Sequence, residues 1–154
     1  MDANTFEHLV IESQDTLYRI SMSMLKNEQQ AQDCVHDAIL KAYENIHKLR
    51  EIEYFRTWLV RILINECKQS LRKQKRESCI DVEVSQLGER DNPYQSIEIG
   101  EAIDSLPQKI RLVVIMYYIE DYSVREIKRA LNIPEGTVKS RLSKGRKILK
   151  ELLK

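Results

Sequence analysis

Apolar residues recur along this chain at spacings of three and four, and no stretch alternates with period two, so the pattern predicts helices and no strands. Short polar residues stand where the amphipathic runs begin. Asn4-Thr-Phe-Glu7, Asn27-Glu-Gln-Gln30, Ser105-Leu-Pro-Gln108 and Ser123-Val-Arg-Glu126 each have the spacing of a reciprocal helix cap. Helices are expected near 5–25, 28–47, 54–75, 94–104, 106–120, 124–131 and 135–152. Between residues 77 and 92 the periodicity lapses in an acidic, weakly apolar stretch that ends at Asn92-Pro93, a cap followed by a first-turn proline. The expected fold is all-α, with two small helical domains at 1–76 and 93–154 joined by a flexible acidic linker at 77–92.

The most specific local signal lies at 123–149. A short capped helix carrying Ile127 and Leu131 reaches Asn132, a residue that tolerates the left-handed conformation of a helix end. Ile133 then packs inward and Pro134 opens the next helix. There Val138, Leu142, Gly145 and Leu149 form one narrow apolar face, and Lys139, Ser140, Ser143, Lys144, Arg146, Lys147 and Lys150 occupy the other. Such a helix can dock on its own domain and still enter a major groove, its first residues reading base edges and its later lysines neutralising phosphates. The expectation is a helix-turn-helix with a DNA-binding face.

The N-terminal half carries two further faces. In the second helix Ala31, Val35, Ala38, Ile39, Ala42 and Ile46 point to a core, while Asp33, Asp37 and Glu44 share another side with Leu40, edged by His36 and Lys41. A leucine among acids suits a partner surface, the leucine supplying burial and the carboxylates orientation. In the third helix Phe55, Trp58, Leu59, Ile62 and Leu63 mark the core side, and this spacing favours packing over base stacking for Phe55 and Trp58. Thr57, Arg61, Asn65, Lys68 and Arg72 project together on another side, a row of cations with one amide that suits a nucleic-acid backbone. Glu66 falls toward the apolar side with no evident partner.

Charge sharpens this division. The net charge of +1 conceals blocks of −3 over 1–50, +3 over 51–77, −6 over 78–108 and +7 over 109–154. Two basic blocks separated by an acidic one predict two contacts with a polyanion. Cys34, Cys67 and Cys79 form no CxxC pair and have no histidine at zinc spacing, so buried free thiols are expected, with no disulfide framework, metal or cofactor. The three histidines lie far apart, and no glycine-rich phosphate loop or nucleophile–base set is present, so an enzyme is not expected. The N-terminus lacks a signal-peptide pattern and the longest apolar run, Leu112–Ile119, is too short to span a bilayer, which predicts a soluble cytoplasmic chain with no direct membrane insertion.

The stretch SLPQKIRLVVIMYYIEDYSVREIKRALNIPEGTVKSRLSKGRKIL resembles the promoter −35-reading region of sigma-70 family factors, most closely the extracytoplasmic-function (ECF) group. The resemblance rests on Leu106-Pro107, Arg111, Glu126-Ile127 and the run Gly136 to Leu142. It implies −35 contacts from Thr137, Lys139, Ser140, Ser143, Lys144 and Arg146. AQDCVHDAILKAYENI resembles region 2.2, which grips the polymerase clamp helices, and this implies polymerase contacts from Asp33, His36, Asp37, Leu40 and Lys41. FRTWLVRILINECKQSLRK resembles regions 2.3 and 2.4. By that likeness Arg61, Asn65, Lys68 and Arg72 meet the −10 element, and the loop Leu49, Arg50, Glu51, Ile52, Glu53 and Tyr54 holds a flipped base. Two departures stand out: Lys128 and Gly145 occupy positions where the family usually has alanine. The implied function is an alternative sigma factor whose partners are core RNA polymerase, promoter DNA and a cognate anti-sigma protein, often membrane-anchored in this group. A stand-alone helix-turn-helix regulator is the alternative, but it leaves the Asp33/Asp37/Leu40 face and the Arg61–Arg72 row unused.

Overall fold

A computed structural model of the chain describes residues 1–78 and 97–154, with side chains from 1–76 and 98–154. The expected linker at 77–92 and the Asn92-Pro93 helix start lie outside the described residues, except that backbone helix runs to Ser78; Cys79 lies outside them too. The described residues form helices and no strands. Helices α1 (Ala3–Leu25), α2 (Glu28–Glu44) and α3 (Phe55–Ser78) pack mutually, with short 3₁₀ turns at Ile46–Lys48 and Ile52–Tyr54 between α2 and α3. After the gap come α4 (Ile97–Asp104), α5 (Gln108–Val114), α6 (Val124–Leu131) and α7 (Glu135–Leu152).

The caps explain where these helices begin, and they differ from expectation at two places. Helix α1 is capped by Asp2, not Asn4: the Asp2 carboxylate accepts from the Thr5 N–H at 2.7 Å. Asn27 caps α2 as expected, accepting from Gln30 N–H at 2.9 Å. Helix α5 has Pro107 at its start and no side-chain cap, because the Ser105 hydroxyl donates backward to the Ala102 carbonyl at 2.7 Å. Ser123 and Glu126 form the full reciprocal box, with both bonds at 3.0 Å. The expected regular helix at 106–120 is also interrupted. Beyond Val114 the coil widens to a π turn at Ile115–Ile119, the Glu120 N–H donating five residues back to Ile115 at 3.0 Å. This extra residue turns Glu120 inward and leaves Tyr117 and Tyr118 exposed.

One buried cluster runs through both halves of the chain. Leu17, Ile20, Leu59 and Leu63 lie at its N-terminal end, and Ile115, Met116, Ile127 and Val138 at its C-terminal end. Helix α1 packs on α5, and α6 packs on α3. With α3 packed on three other helices, Val60 and Ile64, off the side of α3 expected to be apolar, are buried as well. The ends of α1 join the two halves chemically. The chain leaves α1 through Lys26 in the left-handed region (φ 53°), and the last carbonyls of the helix need donors. Arg111 supplies one to Ser23 O at 2.5 Å and Gln108 one to Met24 O at 3.2 Å, while the Lys26 ammonium donates to Asp104 O at 3.0 Å. Cations at a helix C-terminus also complement its dipole.

Gly145, a departure from the family pattern, has a packing cause. A Cβ there would lie 2.6 Å from Val114 Cγ2 and 3.1 Å from Ile110 Cγ2, so α7 and α5 pack closer than alanine permits. Gly145→Ala gains about 1 kcal/mol of helix propensity. It meets a stiff valine in a filled core, where overpacking costs about 1–3 kcal/mol. The expected net result is a loss of about 1 kcal/mol, read as a lowered denaturant midpoint; a rise in midpoint would show that α5 yields freely.

Candidate partner and nucleic-acid surfaces

On α2 the apolar positions turn inward as the spacing predicts: Ala31, Val35, Ala38 and Ala42 are buried, Ile39 and Ile46 half-buried, and Cys34 joins them. Asp33, His36, Asp37 and Glu44 are exposed around Leu40, which is 61% exposed. Tyr43, three residues on, is 58% exposed and meets Phe6 edge-on at 5.4 Å, so the apolar part of this stripe is longer than sequence reasoning found. An i, i+3 pattern of Leu40 with Tyr43 was the available signal. Lys41 leans the other way, to a salt bridge with Glu66 of α3 that raises the Lys41 pKa. That pair accounts for Glu66, and it ties α2 to α3 together with a Gln74–Gln30 hydrogen bond.

Cys34 and Cys67 lie between these helices as buried free thiols. Burial raises both pKa values, that of Cys67 to about 12, so both stay protonated and unreactive near neutral pH.

On α3, Arg61, Asn65, Lys68 and Arg72 are exposed along one side and Thr57 is half-buried. Phe55 is buried, and Trp58 is half-buried with its ring 6.0 Å from that of Phe55. The preceding loop is anchored by half-buried Leu49, while Arg50, Glu51, Ile52, Glu53 and Tyr54 are exposed. On α7, Lys139, Ser140, Ser143, Lys144, Arg146, Lys147 and Lys150 are exposed, Thr137 is half-buried, and Val138, Leu142 and Gly145 face the core. Asn132 ends α6 in the left-handed region (φ 56°), as its position predicts. Arg146 donates to the Tyr118 hydroxyl at 3.0 Å, which fixes its direction; Lys139 has an exposed pairing with Glu135 at 3.4 Å, worth little.

These surfaces are not independent, because the two halves close on each other. Glu120 is 6% exposed, and its carboxylate accepts from Arg19 Nε at 2.8 Å and Arg19 Nη2 at 2.6 Å, and from the Thr16 hydroxyl at 3.1 Å. Arg56 donates to the Glu120 carbonyl, and its guanidinium lies 3.8 Å above the buried Tyr122 ring. With α6 against α3, Arg129 stands 5.4 Å over the Tyr54 ring and shares a cleft with Arg61. Lys128, the other departure from the family pattern, is exposed and reaches this same seam. The face of α7 that bears Lys139 and Lys144 remains open to solvent.

Comparison with known proteins gives one family along nearly the whole chain. Sigma-70 region 2 matches residues 9–77, and Sigma-70, region 4 matches residues 96–149. The ECF RNA polymerase sigma factor SigW of Bacillus subtilis is 33% identical, covering 99% of this chain and 91% of the relative. The RNA polymerase sigma factor SigV of the same organism is 29% identical over 92% of this chain and 86% of its own. Among solved structures, the sigma factor RpoE in complex with the anti-sigma factor NepR from Bartonella quintana has the same fold. Its TM-score is 0.85 at 24% identity, covering 98% of each chain.

Proposed function

This chain belongs to the ECF group of sigma-70 family factors, which direct promoter-specific transcription by RNA polymerase, and from that premise we propose how its own residues divide the work. Asp33, Asp37 and Leu40, with Tyr43 beside them, dock α2 on core polymerase. Arg61, Asn65, Lys68 and Arg72 of α3 follow the −10 duplex, and the loop Leu49–Tyr54 takes up a base from the opened strand. Thr137, Lys139, Ser140, Ser143, Lys144 and Arg146 of α7 meet the −35 element. Binding to unpaired bases draws the duplex from closed to open, and no bond chemistry is asked of the chain itself. The observation that carries this reading is the pairing of opposite surfaces on one three-helix unit. The acid-and-leucine stripe of α2 and the cation row of α3 are both exposed while the residues between them are buried.

In the closed arrangement α6 lies on α3, so strand capture by Tyr54 and its loop requires the halves to part. A cognate anti-sigma protein would act by holding them together; RpoE of Bartonella quintana, which shares this fold, was solved in complex with the anti-sigma factor NepR.

Run-off transcription with core polymerase on a pooled genomic promoter library tests the reading. Discrete new starts preceded by two spaced elements are expected only when this chain is added. Duplex binding without any new start would sink the polymerase docking and leave a stand-alone regulator. Lys139→Ala with Lys144→Ala should weaken −35 duplex binding at all sequences. It should also flatten the dependence of log affinity on log salt by roughly two, since each phosphate contact contributes about 0.9 to the slope. An unchanged slope would move the phosphate contacts off this face.

A further inference from the structure

The seam between α3 and α6 contains two adjoining clefts. One, of about 390 Å³, is lined by Tyr54, Thr57, Trp58, Arg61 and Arg129. The other, of about 470 Å³, is lined by Arg61, Lys128, Arg129, Asn132, Ile133 and Pro134. Arg61 and Arg129 line both, so the clefts form one site with two chambers of different chemistry. The first has two aromatic walls and is mostly apolar. The second gathers three cations and an amide, and among the described residues no carboxylate lines either chamber. Among the described residues Arg61 and Lys128 form no ion pair, and Arg129 has the Tyr54 ring as its partner. Closure therefore brings like charges together from two domains with no neutralising carboxylate among the described residues that line the site, an arrangement that an anionic ligand would complete. Both chambers are clefts open to solvent on one side, with volumes in the small-molecule range of about 300–1,000 Å³.

We infer that this seam binds a nucleotide, with the base against Trp58 and Tyr54 and the phosphates on Lys128, Arg129 and Arg61. A free inorganic anion would satisfy the second chamber only. A flat aromatic group bearing phosphates satisfies both, since rings stack on aromatic faces and guanidinium groups pair with phosphate in bidentate fashion. The site draws residues from both halves of the chain, so it is complete only when they are closed. A ligand bound there stabilises the closed arrangement by its differential affinity for it. Lys128 is then a ligand contact, which gives that departure from the family pattern a purpose. This inference concerns the free, closed chain: Tyr54 and Arg61 are also assigned to the −10 element, so nucleotide and promoter strand would compete for them, while Lys128 and Arg129 belong to this site alone.

Trp58 is the single tryptophan, which makes its fluorescence a direct report on the first chamber. The full chain is titrated with ATP, GTP, adenosine and inorganic tripolyphosphate, with no polymerase or DNA present. The expected result is saturable quenching of Trp58 by the nucleoside triphosphates and a rise in thermal midpoint. Tripolyphosphate should compete without quenching, and adenosine should bind more weakly by at least the tenfold that a lost charge-assisted contact implies. Lys128→Ala with Arg129→Ala alters exposed side chains only, so helix content should hold while nucleotide affinity falls by roughly tenfold or more. The inference is overturned if no nucleotide quenches Trp58 at millimolar concentration. It is equally overturned if tripolyphosphate binds as tightly as ATP, or if the double variant quenches as the parent chain does.

Discussion

Arg19→Ala will release the C-terminal half of the molecule from the N-terminal half. The Glu120 carboxylate, its side chain 2% exposed, is held against α1 by three bonds from the Arg19 guanidinium, Nε being shared between both oxygens, and one from Thr16. Removing Arg19 leaves a charge in a site closed to water, a change that costs about 3–5 kcal/mol when one partner of a buried pair is deleted. The chain need not unfold to escape that cost. Parting of the halves returns Glu120 to solvent, so the loss falls on the closed arrangement and shifts the open-to-closed ratio by roughly a hundredfold or more. Small-angle scattering should show a larger radius of gyration with helix content retained. A single-stranded −10 oligonucleotide should bind better, because α6 no longer covers α3. Arg19→Ala combined with Glu120→Ala removes the stranded charge and should restore part of the closure, with an interaction energy of about 0.5–3 kcal/mol from the double-mutant cycle. If the radius of Arg19→Ala matches that of the parent chain, the pair does not hold the halves together and the Arg111 and Gln108 bonds to α1 must suffice.

Closure is also where the sequence was least legible. The helix-turn-helix could be read in advance because its signals are local: Ser123 and Glu126 cap each other three residues apart, and Asn132 ends its own helix. The stripe of Val138, Leu142 and Gly145 needs only one helix to be recognised. Glu120 and Arg19 are separated by 101 positions, and no periodicity joins them. The π turn that aims Glu120 inward has no reliable sequence pattern, so 106–120 read as one regular helix. Val60 and Ile64 are buried because α3 packs on α6 as well as on α1 and α2, and no single face of α3 read alone could show that. Glu66 and Gly145 show the same limit in miniature. Each looked unfavourable by itself, and each is explained by one neighbour, Lys41 for Glu66 and Val114 for Gly145.

The polymerase surface is the part of the candidate site that local pattern described well, and its test carries the second large effect. Asp33→Lys with Asp37→Lys should weaken binding to core polymerase by roughly a hundredfold. Each substitution removes an attraction and adds a repulsion, and like charges brought together across an interface cost several kcal/mol. Both carboxylates are exposed, and the one hydrogen bond either makes among the described residues, from Gln29 to Asp33 at 3.2 Å, lies on the surface, so folding is spared. Leu40→Ala separates the two forces at work. Burying that side chain is worth about 1.5–3 kcal/mol, so its loss should weaken binding by roughly tenfold to a hundredfold. Salt should distinguish the variants: the charge reversal loses most of its effect as ionic strength rises and the Debye length shrinks, whereas the leucine defect persists. Equilibrium binding to core polymerase across a salt series measures both. If the charge-reversed chain binds as the parent does at low salt, α2 faces something other than the polymerase and the docking surface must lie elsewhere. If charge reversal and Leu40→Ala fail alike at every salt concentration, the stripe acts through shape and burial, and the acids serve only to keep it soluble.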